Sequence, residues 1–182
     1  MIKQFIHRYV RNLEHRYTYD ATYMQELADI STSAFNRFVI MQMSGARWGG
    51  GAPKDALFAS GIAGALVEDC GPCVQIASDM AVEAGVSPET IRNLLSGMRS
   101  NSDAQLGFDY GLALLRGGDS LDALRETIIS EWGKKALIAL SLHVMAGRNY
   151  PVLKRAMGHA KTCQRVRVGK DEIMVDQTLK AA

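Results

Sequence analysis

The chain has 182 residues, 47% of them hydrophobic and 22% charged, with a formal net charge of +2. A chain of this length has enough interior to fold without a metal or disulfide staple, and its small net charge excludes the basic footprint of a nucleic-acid or anionic-membrane binder. No stretch approaches the ~20 apolar residues of a membrane span, because the longest candidate, residues 136–147, is interrupted by Ser141 and His143.

The opening MIKQFIHRYVRN carries charges where a secretory signal needs an apolar run, so the expected location is the cytoplasm. Three cysteines in a reducing compartment point to catalysis, metal binding or inert packing before structural disulfides. Residues 2–17 space Phe5, Tyr9 and Leu13 four apart and predict an amphipathic helix. Asp20 is the expected cap of one long second helix, with Leu27, Ile30, Ala34, Phe38 and Met41 as its apolar stripe. Residues 1–46 thus form an N-terminal helical arm, expected to pack on the core or on a neighbouring subunit through aromatics such as Phe5, Tyr9, Tyr19 and Phe38.

A Gly-rich break follows at 44–55. Its WGGGAPK lacks the Gly-Lys-Ser/Thr ending of a phosphate loop and reads as a linker or pocket lip. Pro53 suits the first turn of a third helix, whose Ser60, Gly61, Gly64 and Ala65 would let another helix approach closely. Gly71-Pro72 favour a further helix start and Gly85 its stop; Ser87 and Pro88 then cap and open the next helix. Residues 102–118 and 119–147 predict the following two or three helices, and Pro151 is expected to open a short last one reaching Cys163. The tail, 164–182, alternates enough for one short strand pair at most. The predicted class is all-α, with a helical core over 47–163.

The stretch Cys70-Gly71-Pro72-Cys73 carries the chemistry. Unpaired N–H groups at a helix start favour thiolate over thiol. A three-residue spacing lets the two sulfurs close a small reversible disulfide. The apolar face continued by Ile76, Ala77, Met80 and Ala81 puts Cys73 at the core edge and Cys70 at the solvent end, so Cys70 is the expected thiol to exchange with partners. Two other readings stay open. The pair can be inert core thiols, or half of a zinc site that only His159 and Cys163 could complete. Val74, where a c-type haem motif needs His, excludes haem attachment, and the helical residues before Cys70 exclude a thioredoxin-like strand.

A CxxC that opens a helix, followed by MAVEAGVSPETIRNLL, resembles the carboxymuconolactone decarboxylase and alkylhydroperoxidase D-like family over residues 54–160. The resemblance implies an alkylhydroperoxidase D-like helical bundle, here with extra N-terminal helices, that assembles into homo-oligomers and uses no cofactor or metal. For dithiol members it implies a thiol–disulfide oxidoreductase or peroxidase that reduces a small hydroperoxide or a partner disulfide and is reset by an external thiol. The family's relay His, four residues after the second Cys, falls at Ala77, and its Glu, twelve before the first, falls at Phe58. Weak peroxidase activity is therefore expected. Glu68 is the candidate substitute proton relay and His143 the best internal histidine, while Asp69 reads as an ordinary helix-dipole partner. Two alternatives are a cofactor-free decarboxylase or lyase on a small lactone or carboxylic acid, with Arg47 or Arg92 binding the carboxylate, and a non-catalytic oligomeric module.

Overall fold

The computed structural model describes residues 2–100, 102–159 and 165–180. Eight helices run in chain order: α1 (Ile2–Tyr17), α2 (Thr22–Ile30), α3 (Thr32–Ala46), α4 (Lys54–Val67), α5 (Gly71–Glu83), α6 (Pro88–Leu95), α7 (Asp103–Arg116) and α8 (Ser120–Ala156). A hairpin of β1 (Arg165–Val168) and β2 (Asp171–Met174) and one 3-10 turn complete the described chain. The fold is all-α, and no helix among the described residues is long and apolar enough to cross a membrane.

Local chemistry sets most boundaries. Ser87 and Ser102 accept hydrogen bonds from the backbone N–H of Glu89 and Gln105, both at 3.2 Å, and so cap α6 and α7. Gly85, at φ +91°, ends α5, with its own N–H on Val82 and that of Val86 on Ala81, the paired bonds of a Schellman stop. Pro53 lies one residue earlier than predicted, as the extended residue before α4.

Three expectations are corrected. The long second helix is two, because Ser31 leaves the helix for extended backbone and turns its side chain to cap Ala34 at the start of α3. That break rotates the stripe: Ala28, Phe35 and Phe38 are buried, whereas Ile30 and Met41 are exposed. On α1 the inward residues are Ile6 and Val10, while Phe5 is 75% exposed; the four-residue spacing is right and its phase is not. Finally, Pro151 does not open a helix. The helix α8 runs through it to Ala156, because Pro151 and Lys154 are buried and Lys154 Nζ donates to the Asp20 carbonyl at 3.0 Å, so tertiary contacts outweigh the missing N–H. The one break in α8 is at Gly133, where φ +83° and ψ 169° separate two helical halves.

Helix α4 is the central element, packed on both α7 and α8. Its small face does what the sequence predicts. A Cβ on Gly64 would overlap the Val144 carbonyl, and one on Gly147 of α8 would overlap the Gly61 carbonyl, so these backbones touch where glycine permits it. The arm α1–α3 packs through Ile6, Val10, Tyr23, Phe35 and Phe38 against Ile76 of α5 and Tyr150 and Leu153 of α8. The hairpin is more than a frayed pair. Its strands are antiparallel, Val166 opposite Ile173, joined at Gly169 with φ +66°, and Val166 and Val168 enter the same core as Val74, Ile91 and Leu95.

Candidate functional site

The chain leaves α4 at Glu68, turns through Asp69 at φ +51°, and enters α5 at Cys70, which is the extended N-cap residue. The backbone N–H groups of Cys73 and Val74 both donate to the Cys70 carbonyl at 3.0 Å, and Pro72 occupies the first turn without an N–H to leave unpaired. The Cα atoms of Cys70 and Cys73 are 5.2 Å apart and their sulfurs form a disulfide.

Both cysteines are buried, Cys70 at 1% exposure and Cys73 at 2%. This corrects the expectation that Cys70 faces solvent. The reason lies in the C-terminal hairpin: Gln75 of α5 exchanges two 2.7 Å hydrogen bonds with the backbone of Arg167, and Lys180 Nζ reaches Asp69 Oδ1 at 2.7 Å. Cys70 therefore belongs to the same buried cluster as Val166, Val168 and Val175.

Cys73, not Cys70, lines a cavity of about 120 Å³ bordered by the arm, α4, α5 and α8. Its wall is mostly apolar, with Phe58, Ile62, Ile76, Ala77 and Met80; the polar groups on it are Tyr19, Gln42, His143 and Tyr150. Phe58 and Ala77, where the resemblance would put Glu and His, both lie on this wall. The cavity is below the size of a drug-sized site and suits a compact ligand.

His143 enters from α8. It is 9% exposed, and its Nε2 is buried without a hydrogen-bond partner. Burial lowers its pKa from 6.5, which keeps the ring neutral at neutral pH. Tyr19, in the turn between α1 and α2, places its hydroxyl 4.0 Å from Cys73 Sγ. Burial pushes the Tyr19 hydroxyl up to about 12 and raises Tyr150 as well, so both remain protonated.

Glu68 goes elsewhere. Its Oε1 accepts from Arg148 Nε at 2.6 Å and its Oε2 from Arg155 at 2.9 Å, a clamp that ties the end of α4 to α8. Both carboxylate oxygens are engaged by guanidinium groups, an arrangement suited to holding the α4–α5 turn in place. Arg92 pairs with Asp171 at 2.9 Å and Arg47 is an exposed residue closing α3; neither lines the Cys73 cavity. His159 pairs with Glu26 at 2.8 Å, Cys163 lies outside the described residues, and among the described residues no group of three or more His, Cys, Asp or Glu side chains could hold a metal ion.

A larger groove of about 550 Å³ lies between α6, α7 and the first half of α8, lined by Leu94, Arg99, Phe108 and Arg116 among others. No cysteine or histidine lines it, so size alone would select a site without a thiol or an imidazole. The residues that the sequence reading missed at the Cys73 cavity are Tyr19, Gln42 and Tyr150. Tyr19 stood out only as one aromatic of the arm, and no local pattern signals that a turn preceding α2 meets a thiol on α5. No protein-family model, curated protein or solved structure matches the chain.

Proposed function

We propose that the chain is a thiol–disulfide oxidoreductase whose Cys70–Cys73 pair reduces a small hydroperoxide or low-molecular-weight disulfide inside the Cys73 cavity. The observation that carries this reading is the meeting of Cys73 and the unpartnered, neutral His143 on one small, mostly apolar cavity. Its size favours a compact substrate over a protein disulfide.

In the proposed cycle His143 Nε2 accepts the Cys73 thiol proton, and the resulting thiolate attacks the outer oxygen of a hydroperoxide. The S–O bond forms as the O–O bond breaks, and the departing alkoxide takes up a proton to leave as an alcohol. Cys70 then attacks the Cys73 sulfenic acid, forming the disulfide and releasing water. Two thiol equivalents from an external donor restore the dithiol by exchange. With a disulfide substrate, Cys73 forms a mixed disulfide that Cys70 resolves.

Membership of the carboxymuconolactone decarboxylase and alkylhydroperoxidase D-like family is part of the proposal. It is supported by the all-α core, the dithiol at a helix start, and the location of Phe58 and Ala77 on the cavity wall.

The test is the pH dependence of turnover. In the wild type, activity should persist at neutral pH, where His143 is unprotonated, and fall as acid protonates it below its ordinary value of 6.5. In His143→Asn the thiol must ionise without a general base, so the acid limb should move toward the ordinary thiol range near ~8.5, with turnover at pH 7 lowered about a hundredfold. A profile unchanged in His143→Asn would remove the histidine from the mechanism. Stability carries the same sign: because folding lowers the His143 pKa, the unfolded chain binds that proton first, and stability should drop as pH falls below 6.5.

A further inference from the structure

We infer that Tyr19 is a positioning residue for the reduced dithiol, its hydroxyl donating a hydrogen bond to the Cys73 thiolate. This rests on the dithiol reading above and extends it to the N-terminal arm, which thereby becomes part of the site.

The two groups already adjoin in the oxidised pair. Tyr19 is buried, and its hydroxyl lies 4.0 Å from Cys73 Sγ while donating to the Tyr23 hydroxyl at 3.2 Å. A disulfide sulfur is a weak acceptor, so the neighbouring phenol oxygen takes the proton. Reduction places negative charge on Cys73, and a thiolate is a far stronger acceptor than a phenol oxygen. Rotation of the hydroxyl hydrogen about its own C–O bond redirects the donation, with no backbone movement.

The ring is held for this purpose. Lys154, 0% exposed, places its ammonium 4.6 Å from the Tyr19 ring centroid and 5.3 Å from that of Tyr23, and it donates to the Asp20 carbonyl beside them. The two rings meet edge to face with centroids 6.5 Å apart. A cation over a phenol face is attracted by the ring quadrupole, and this contact fixes where the Tyr19 ring sits. Burial keeps the Tyr19 hydroxyl protonated, with a pKa pushed up to about 12, so it remains a donor throughout the range in which a thiol ionises.

The titratable groups around Cys73 and Tyr19 are Tyr19, Asp20 and Tyr23 from the arm and His143, Tyr150 and Lys154 from α8, with Cys70 on α5 itself; α4 presents Phe58 and Ile62. His143 accepts a proton and Tyr19 donates a hydrogen bond, so removing either raises the midpoint of the thiol titration; the opposite shift expected of Tyr23→Phe is what isolates Tyr19.

The experiment measures the rate of iodoacetamide alkylation of Cys73 against pH in the reduced protein, read by peptide mass, together with the midpoint potential of the pair. Tyr19→Phe should raise the midpoint of the alkylation profile by about one unit, a tenfold loss of thiolate at a given pH. It should also make the dithiol more reducing, by about 30 mV for a tenfold change. Tyr23→Phe removes the competing acceptor and should move both quantities the opposite way. The inference is overturned if the Tyr19→Phe profile superimposes on the wild type, or if both variants move together, as a merely structural disturbance would make them. Should Tyr19→Phe not yield folded protein, Tyr23→Phe decides: a downward shift supports the bond and no shift removes it. A wild type that turns over no hydroperoxide or disulfide would defeat the proposed function, while the alkylation profiles would still decide the role of Tyr19.

Discussion

Cys73→Ser is expected to lower peroxide and disulfide turnover about a thousandfold or more, because it removes the sulfur on which the first bond forms. Cys70→Ser should behave differently. It keeps the Cys73 thiolate, so one equivalent of hydroperoxide should be consumed in a single turnover, leaving Cys73 with one added oxygen detectable by mass spectrometry. Continued turnover should then depend on the external thiol attacking the sulfenic acid directly. The asymmetry follows from the structure: both cysteines are buried, but only Cys73 is among the residues lining the 120 Å³ cavity. If Cys73→Ser keeps wild-type turnover, or if Cys70 is the residue that gains oxygen in the complementary variant, the assignment of the two sulfurs is wrong.

Gly147→Ala is expected to destabilise the fold by about 3 kcal/mol, which for a domain of this size lowers the melting temperature by about 6–12 °C. The added Cβ would overlap the backbone carbonyl of Gly61, and backbone cannot swing aside as a flexible side chain can. The strain would open the contact between α4 and α8, and Gly147 also lines the Cys73 cavity, so turnover should fall with stability. Gly45→Ala is the matched control. Its Cβ would meet the Leu142 carbonyl at 3.5 Å, an ordinary contact, and adding it within a helix should be neutral or stabilising by up to about 1 kcal/mol. Thermal melts of both variants check this; a Gly147→Ala melt coincident with that of Gly45→Ala would show that the two helices tolerate a wider separation.

The legible part of the sequence was its local chemistry. Ser87, Ser102 and Gly85 marked helix ends because side-chain oxygens cap N–H groups and glycine adopts positive φ cheaply, and these effects act within one turn. The small face of α4 was legible for a related reason, since only close backbone approach gives Gly61 and Gly64 a common purpose. Ser31 was missed because serine is tolerated inside a helix as well as at its start; the choice depends on how α2 and α3 pack.

The site was only half legible. The Cys70–Cys73 spacing and the helix start point to the dithiol but not to its burial, because the covering element is a hairpin that lies far along the chain. Likewise His143 was a core histidine on an apolar helix until α8 folded over α4 and left its Nε2 unpartnered. Glu68 stands near Cys70 in sequence, but its partners Arg148 and Arg155 lie on α8, far along the chain, and cannot be read from spacing. Burial and long-range pairing are properties of the assembled fold, which single-sequence periodicity does not encode.

The proposed function requires the Cys70–Cys73 pair to be a working couple rather than a structural bond. Equilibrating the wild-type protein in thiol buffers of graded poise, and counting free thiols on these two residues, measures this directly. The expected result is a fully reversible transition with a midpoint within about −270 to −180 mV, the range of dithiols that exchange with partners. A midpoint below about −300 mV, typical of structural disulfides, or a pair that does not close under oxidising buffer, would contradict it.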